Sequence, residues 1–310
     1  MDTVFTGPSD AACPQTAQRP LRGAHNAGPA ASELVLSTMR DLPALPAAVF
    51  ELLHLVRLDH VNTRTLATKL SYDQALTAKI LRLANSSFYG VPRGVTSVTD
   101  ATTVLGMRTM RTLVTTAALA GSFKAPACDG FDFPGFWHHA ISAAVSARII
   151  AAAIGADGET AFTAALLHDV GQLVFATNFP ARFAQVLALQ SSSEIALIEA
   201  ERSLLGTDHA ALGALLAERW HFPRGIVEAI GQHHAPPKLG NAAGLVHIVY
   251  VAGTLAHLVG LGQLDASAMP AACNEVWSGM DLSMQFWNEV AVQTDQQARA
   301  ICTALVPAAK

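Results

Sequence analysis

An all-α fold is what this sequence predicts, and three observations predict it. Ala and Leu are abundant while aromatic residues make up only 6% of the chain, a balance that favours helix over sheet. No stretch alternates apolar and polar residues as a half-buried strand does. Apolar segments are instead punctuated regularly by Ser, Thr, Asp, Asn, Gly or Pro, placed where these residues start or stop helices. With 51% apolar and 14% charged residues over 310 positions, there is material for one large core or two smaller ones.

Residues 1–31 are rich in Ala, Gly, Pro, Ser and Thr without apolar period, and read as a disordered tail. A short helix that starts at 33–36 is stopped by Leu42-Pro-Ala-Leu-Pro46, because a residue before proline is pushed away from helix. Pro46 then opens a helix to about Arg57. Asn62 caps a helix to Leu70, and Asp73 caps one to Asn85. After a loop with Gly90, Pro92 and Gly94, Ser97 or Thr99 caps a short helix ending at Gly106, and another runs from Arg108 to Phe123. Residues 32–123 thus form an N-terminal helical subdomain, closed by a linker-like break at 124–134.

The second set, over 134–262, comprises helices at 134–154, 159–177, 180–190, 194–205, 208–220, 223–234 and about 241–260. Residues 242–262 carry no charge and are long enough to span a bilayer. His247, His257 and several glycines weaken insertion, so this segment reads as a helix buried on all sides within a soluble core. One or two amphipathic helices close the chain within 268–308, with Trp277, Phe286 and Trp287 packing inward.

A net charge of −4 and a pI near 6.3 give no global basic field, so nucleic acid is not an expected partner. Lys79, Arg82, Arg93, Arg108 and Arg111 read as a solvated face. Cys13, Cys128, Cys273 and Cys302 form no C-x-x-C pair, which excludes a zinc knuckle or redox motif and suits a reducing compartment. The opening Met1-Asp2-Thr3 lacks the basic and apolar regions of a secretory signal. A cytoplasmic location and no membrane association are expected.

The chemistry concentrates at Ala164-Ala-Leu-Leu-His168-Asp169-Val-Gly171-Gln172-Leu-Val174. An apolar segment without proline places His168 and Asp169 on one buried helix, where an unpartnered polar group costs about 2–7 kcal/mol. Side chains or a metal ion must satisfy the pair. His139 precedes it on another helix. His209 has Leu212, Leu216 and Trp220 at offsets of three, seven and eleven, so it lies on a core-facing stripe. His233 and His234 flank the apolar face of Ile226, Val227 and Ile230. Histidines and an aspartate from separate helices are a normal way to hold zinc, iron or manganese; hydrogen-bonded core histidines are the alternative, and spacing leaves both open.

Three blocks then resemble a known family. Leu42-Pro-Ala-Leu-Pro46, Leu76-Thr-Ala-Lys-Ile-Leu-Arg-Leu-Ala-Asn-Ser-Ser87 and Ala101-Thr-Thr-Val-Leu-Gly106 closely resemble the HDOD (HD-related output domain) of bacterial signalling proteins. The match continues through Trp137-His-His139, His168-Asp-Val-Gly171, Asp208-His-Ala-Ala-Leu-Gly213, Trp220-His-Phe-Pro223 and Gln232-His-His234, covering roughly residues 35–262. The resemblance implies an N-terminal helical subdomain packed on a degenerate HD-type phosphohydrolase subdomain. It implies a non-catalytic regulatory role in signal transduction, acting on an unknown signalling protein or small ligand. By motif, His139, His168, Asp169, His209, His233 and His234 match the metal positions of HD phosphohydrolases, implying a divalent Fe, Mn or Zn ion. A metal-dependent phosphohydrolase or phosphodiesterase is the alternative. Two departures weigh against it. Gln172 stands where the related HD-GYP enzymes carry lysine, and Gly253 stands near the place of their late aspartate. The Gly-Tyr-Pro segment is also absent, since Ala235-Pro-Pro237 follows His234.

Overall fold

The computed structural model describes residues 65, 70, 74–86, 89–91, 94–193, 195–240, 242–263, 265, 269 and 273–305. The tail expected over 1–31, the helix expected to start at 33–36, the helix expected over 46–57, and most of 62–70 lie outside these residues. Among the described residues every regular element is helical, as the composition predicts.

The first two helices are α1 (Gln74–Ala84) and α2 (Val98–Ser122). Ser97 caps α2 by accepting from Asp100 N at 3.0 Å. At Gly106 the backbone leaves helical geometry (φ 80°, ψ 158°), a left-handed φ that glycine adopts without the Cβ penalty. The two helices expected on either side of Gly106 are therefore one element with a break. Residues 123–132 carry no helix and lead to α3 (Phe133–Ala153), capped by Asp132 on Gly135 N.

Helix α3 is the axis of the molecule. Phe136, Trp137, Ile141, Val145 and Ile150 are buried, and small residues between them let neighbours approach closely. Against α3 pack α4 (Gly158–Leu167), α10 (Leu245–Gly260) and α12 (Met284–Leu305). Burying each large aliphatic or aromatic side chain contributes roughly 1.5–3 kcal/mol, so this layer carries much of the core. Helix α10 is apolar on nearly every face because it is enclosed, as its composition predicts. Its 16 residues span only about 24 Å at 1.5 Å per residue, and no described helix is long and apolar enough to cross a membrane.

Between α4 and α10 run α5 (Val170–Asn178), α6 (Pro180–Ser193), α7 (Leu197–Leu205), α8 (His209–Arg219) and α9 (Arg224–Gln232). Helices α6 and α7 pair, α8 lies between α5 and α9, and α9 rests on α4 and α10. The short α11 (Asn274–Ser278) precedes α12, and Trp277 stacks on Trp287 with ring centroids 5.3 Å apart. Both tryptophans are buried, and Phe286, partly covered, packs against Trp287.

One expectation needs correcting. The single helix expected over 159–177 is two, α4 and α5, interrupted at His168 and Asp169. Adjacent residues on a continuous helix point about 100° apart, so the pair could not both face one point. The break lets them do so.

Candidate metal centre

The six candidate residues come from five places in the fold. His139 projects from the second turn of α3, His168 closes α4, Asp169 opens α5, His209 opens α8, and His233 and His234 follow α9. Asp169 holds the N-cap position of α5 but makes no capping bond with its side chain. The carboxylate is turned inward instead. Its Oδ2 lies 3.3 Å from His168 Nε2 and 3.4 Å from His139 Nε2. Its Oδ1 lies 3.2 Å from His209 Nε2 and 3.4 Å from His233 Nε2. His234 Nε2 completes this second side at 2.8 Å from His209 Nε2. The six predicted residues therefore converge, in two groups sharing Asp169, and within each group the donor atoms lie within 4.8 Å of one another. His168, Asp169, His209 and His233 are buried, His139 is half-buried and His234 is exposed.

Tautomers are fixed by what the other ring nitrogens meet. His168 Nδ1–H donates to Ala165 O at 2.6 Å, and His233 Nδ1–H donates to Ile230 O at 2.7 Å. A carbonyl can only accept, so in each neutral ring Nε2 carries a bare lone pair. Both lone pairs point at oxygens of one carboxylate; His168 Nε2 also meets His139 Nε2 at 3.2 Å, and His233 Nε2 is buried without any hydrogen-bond partner among the described residues. Converging lone pairs of this kind repel unless a proton or a metal cation stands among them. The donor set, five imidazole nitrogens and a carboxylate, fits a borderline divalent transition metal.

The electrostatics agree. Burial drives His168 down to about 3, aided by His233 and His139. Burial, with His233 and His209, does the same to His234, also to about 3. Burial likewise lowers His139. His209 goes the other way: burial opposes its charge, but Asp169 and Glu201 outweigh it and raise the ring to about 10. Burial works to raise Asp169, yet His168, His209 and His233 hold the carboxyl well below the usual carboxylate range. These rings are ready to ligate at neutral pH except His209, which must surrender a proton.

Two residues shape the centre although sequence reasoning gave them no such role. Glu201 on α7 is fully buried, and its Oε2 accepts from His209 N at 2.9 Å and from His209 Nδ1–H at 2.7 Å. A signal was present, because Glu201 lies on the stripe Leu197, Glu201, Leu205 at helical spacing. Gly171 abuts α8 so closely that a Cβ there would meet the His209 backbone, 2.8 Å from its Cα.

Next to the centre opens a cavity of about 580 Å³, whose polar lining includes His138, His139, Asp169, Gln172, Gln190 and His257. His138 therefore faces the cavity rather than Asp169, whereas its neighbour His139 reaches both. Gln172 lines it where HD-GYP enzymes have lysine, and among the described residues no Lys or Arg lines it. Gly253 sits on α10 with its Cβ direction 3.6 Å from His168 Nε2, so a side chain at 253 would point into the centre. His247 is elsewhere, its ring tied to Gly244 N and Pro237 O, and His221 is exposed.

An all-helical chain with a His-Asp pair at a helix break, ringed by histidines from three further segments, has the architecture of the HD-related class. Comparison with known proteins gives the family: the HDOD domain model matches residues 42–236, and the chain belongs to the HDOD family. A solved structure from Shewanella amazonensis SB2B, provisionally named a phosphohydrolase, is similar with 30% identity and a TM-score of 0.76, covering 92% of this chain and all 100% of that one. A structure from Marinobacter aquaeolei VT8, provisionally named a signal transduction protein, shares 26% identity with a TM-score of 0.72, covering 90% of this chain and 66% of that one. An uncharacterised protein of Treponema pallidum (strain Nichols) is 26% identical over 199 residues, or 64% of this chain; the match spans only 38% of that protein's length.

Proposed function

We propose that this chain is a regulatory HDOD module of signal transduction that holds a divalent transition metal at Asp169 and acts by binding a protein or small ligand, without turnover of its own. The observation that supports the metal is the pair of unprotonated Nε2 atoms of His168 and His233, locked by backbone carbonyls toward opposite oxygens of Asp169. His209, His233 and His234 would hold an ion on the Oδ1 side, and His139 and His168 on the Oδ2 side. When bound, such an ion supplies Lewis acidity and a water of lowered pKa.

The regulatory reading is supported by what the cavity lacks. Transition-state charge on a phosphoryl group needs fixed positive charge, and here Gln172 replaces the lysine while the lining offers neither Lys nor Arg. Gly253 withholds a further carboxylate. The hydrolase reading draws on one observation, that the cavity opens directly on His139 and Asp169, so a metal-bound water would face any ligand in it. The fit of a small ligand is supported by the same cavity, whose volume suits a drug-sized molecule.

The test is metal analysis of protein purified without chelator, beside a His168→Ala, Asp169→Ala double variant, followed by phosphodiesterase and phosphatase assays. The expected result is stoichiometric metal in the wild type, none in the variant, and turnover in neither. Metal-dependent turnover lost in the variant would replace the regulatory reading with the hydrolase one; a wild type without metal would end both.

A further inference from the structure

The structure assigns Glu201 as a positioning residue that fixes His209 for metal and makes the His209, His233 and His234 side of the centre the tighter one. This rests on the metal reading above.

Helix α7 ends at Gly206 in the left-handed region (φ 76°), which turns the chain back within two residues. Asp208 then caps α8, accepting from Ala211 N at 2.8 Å, and Arg202 Nε donates to Asp208 Oδ2 at 2.7 Å. This clamp brings the first residue of α8 over Glu201. Its Oε2 takes both the His209 amide and the ring Nδ1–H, which directs Nε2 at Asp169 Oδ1.

A helix anchor alone would not explain the choice of side chain. The amide of His209 needs only a neutral acceptor, yet a carboxylate is buried there with Oε1 unpartnered among the described residues. Burying a charge with half its acceptors idle is costly unless a cation is close. The other two locked histidines lean on backbone carbonyls, which are neutral. Only His209 has an anion behind it. A carboxylate hydrogen-bonded to the far nitrogen of a ligating histidine sets its tautomer and raises its basicity, and losing such a partner typically weakens metal binding about 10–100-fold. Charge, and not only orientation, is therefore what Glu201 contributes.

The experiment compares the full-length wild type, Glu201→Gln and His209→Ala in competition titrations with Zn²⁺ against a chromophoric chelator. Glu201→Gln keeps the shape and an acceptor oxygen but removes the charge. A 10–100-fold loss of affinity for the first zinc equivalent, at unchanged helical circular dichroism, is the expected result. In the His209→Ala background, Glu201→Gln should produce no further loss. Wild-type affinity in Glu201→Gln, or an equal loss with and without His209, overturns the assignment. Should the variant not fold, ¹⁵N imidazole spectra of the zinc-loaded wild type decide: a protonated Nδ1 and ligated Nε2 at His209 support it, and a ligated Nδ1 overturns it. A wild type that takes up no zinc overturns the metal reading itself, whereas normal uptake insensitive to Glu201 overturns only this one.

Discussion

Replacing Gly171 by alanine tests how tightly the centre depends on the packing beneath it. A Cβ at this position would stand 2.8 Å from both Cα and C of His209, and closer still to its carbonyl oxygen, whereas ordinary contact begins near 3.4 Å. Helix α8 must therefore withdraw from α5 by at least ~0.6 Å, the difference between those distances, because backbone cannot rotate away as a side-chain tip would. Overpacking of this kind costs about 1–3 kcal/mol, or roughly 2–12 °C in thermal midpoint at 2–4 °C per kcal/mol. Metal sites tolerate distance errors of about 0.2 Å, so the same shift should weaken zinc binding at least tenfold. Thermal unfolding in chelator and competition titration measure the two effects separately. Gly253→Ala is the control, since its Cβ would rest at ordinary distance, 3.6 Å from His168. A Gly171→Ala protein with wild-type midpoint and wild-type affinity would refute the argument that this glycine exists for the approach of α8.

Three other outcomes follow from the same geometry. Because His209 is raised to about 10, it is charged at neutral pH in the metal-free protein, and metal uptake at pH 7.5 should release about one proton; calorimetry in buffers of different ionisation enthalpy counts it, and zero release would contradict the assignment. His168 is lowered to about 3, so between that value and its unfolded value of 6.5 the unfolded chain binds more protons. Its contribution is present above pH 6.5 and lost on acidification, with a slope of up to about 1.4 kcal/mol per pH unit, which urea midpoints at pH 6.5 and 4.5 in chelator should register and His168→Gln should flatten. Gly253→Asp places a carboxylate toward His168 and should tighten zinc binding at least about tenfold, or about 1.4 kcal/mol; unchanged affinity would mean that position 253 does not address the metal.

Capping chemistry and apolar spacing were legible in the sequence because they are local. Ser97 makes the bond its position predicts, and the stripe from His209 through Leu212 and Leu216 is buried as spaced. The members of the cluster were legible through their motifs. What stayed hidden is tertiary. The segment 159–177 keeps its apolar composition on both sides of His168-Asp169, so nothing local marks the break. Glu201 sits in Glu199-Ala-Glu201-Arg202, which reads as surface charge until the 197–201–205 stripe is weighed. His138 and His139 look alike in sequence, but neighbours on a helix diverge by about 100°, and only the fold decides which one meets Asp169.

The five histidines around Asp169 also tie together stretches of chain that are remote in sequence, from His139 to His234. The three described cysteines, Cys128, Cys273 and Cys302, are free thiols, so no covalent cross-link among them does this work. An ion held there would act as a removable staple, closing several loops at once and penalising the unfolded chain more than the folded one. Stability would then follow metal supply, rising by about 2.7 kcal/mol when free metal reaches a hundred times its dissociation constant. On the regulatory reading proposed above, in which a surface is offered to a partner, the rigidity of that surface would become a readout of the metal available around it.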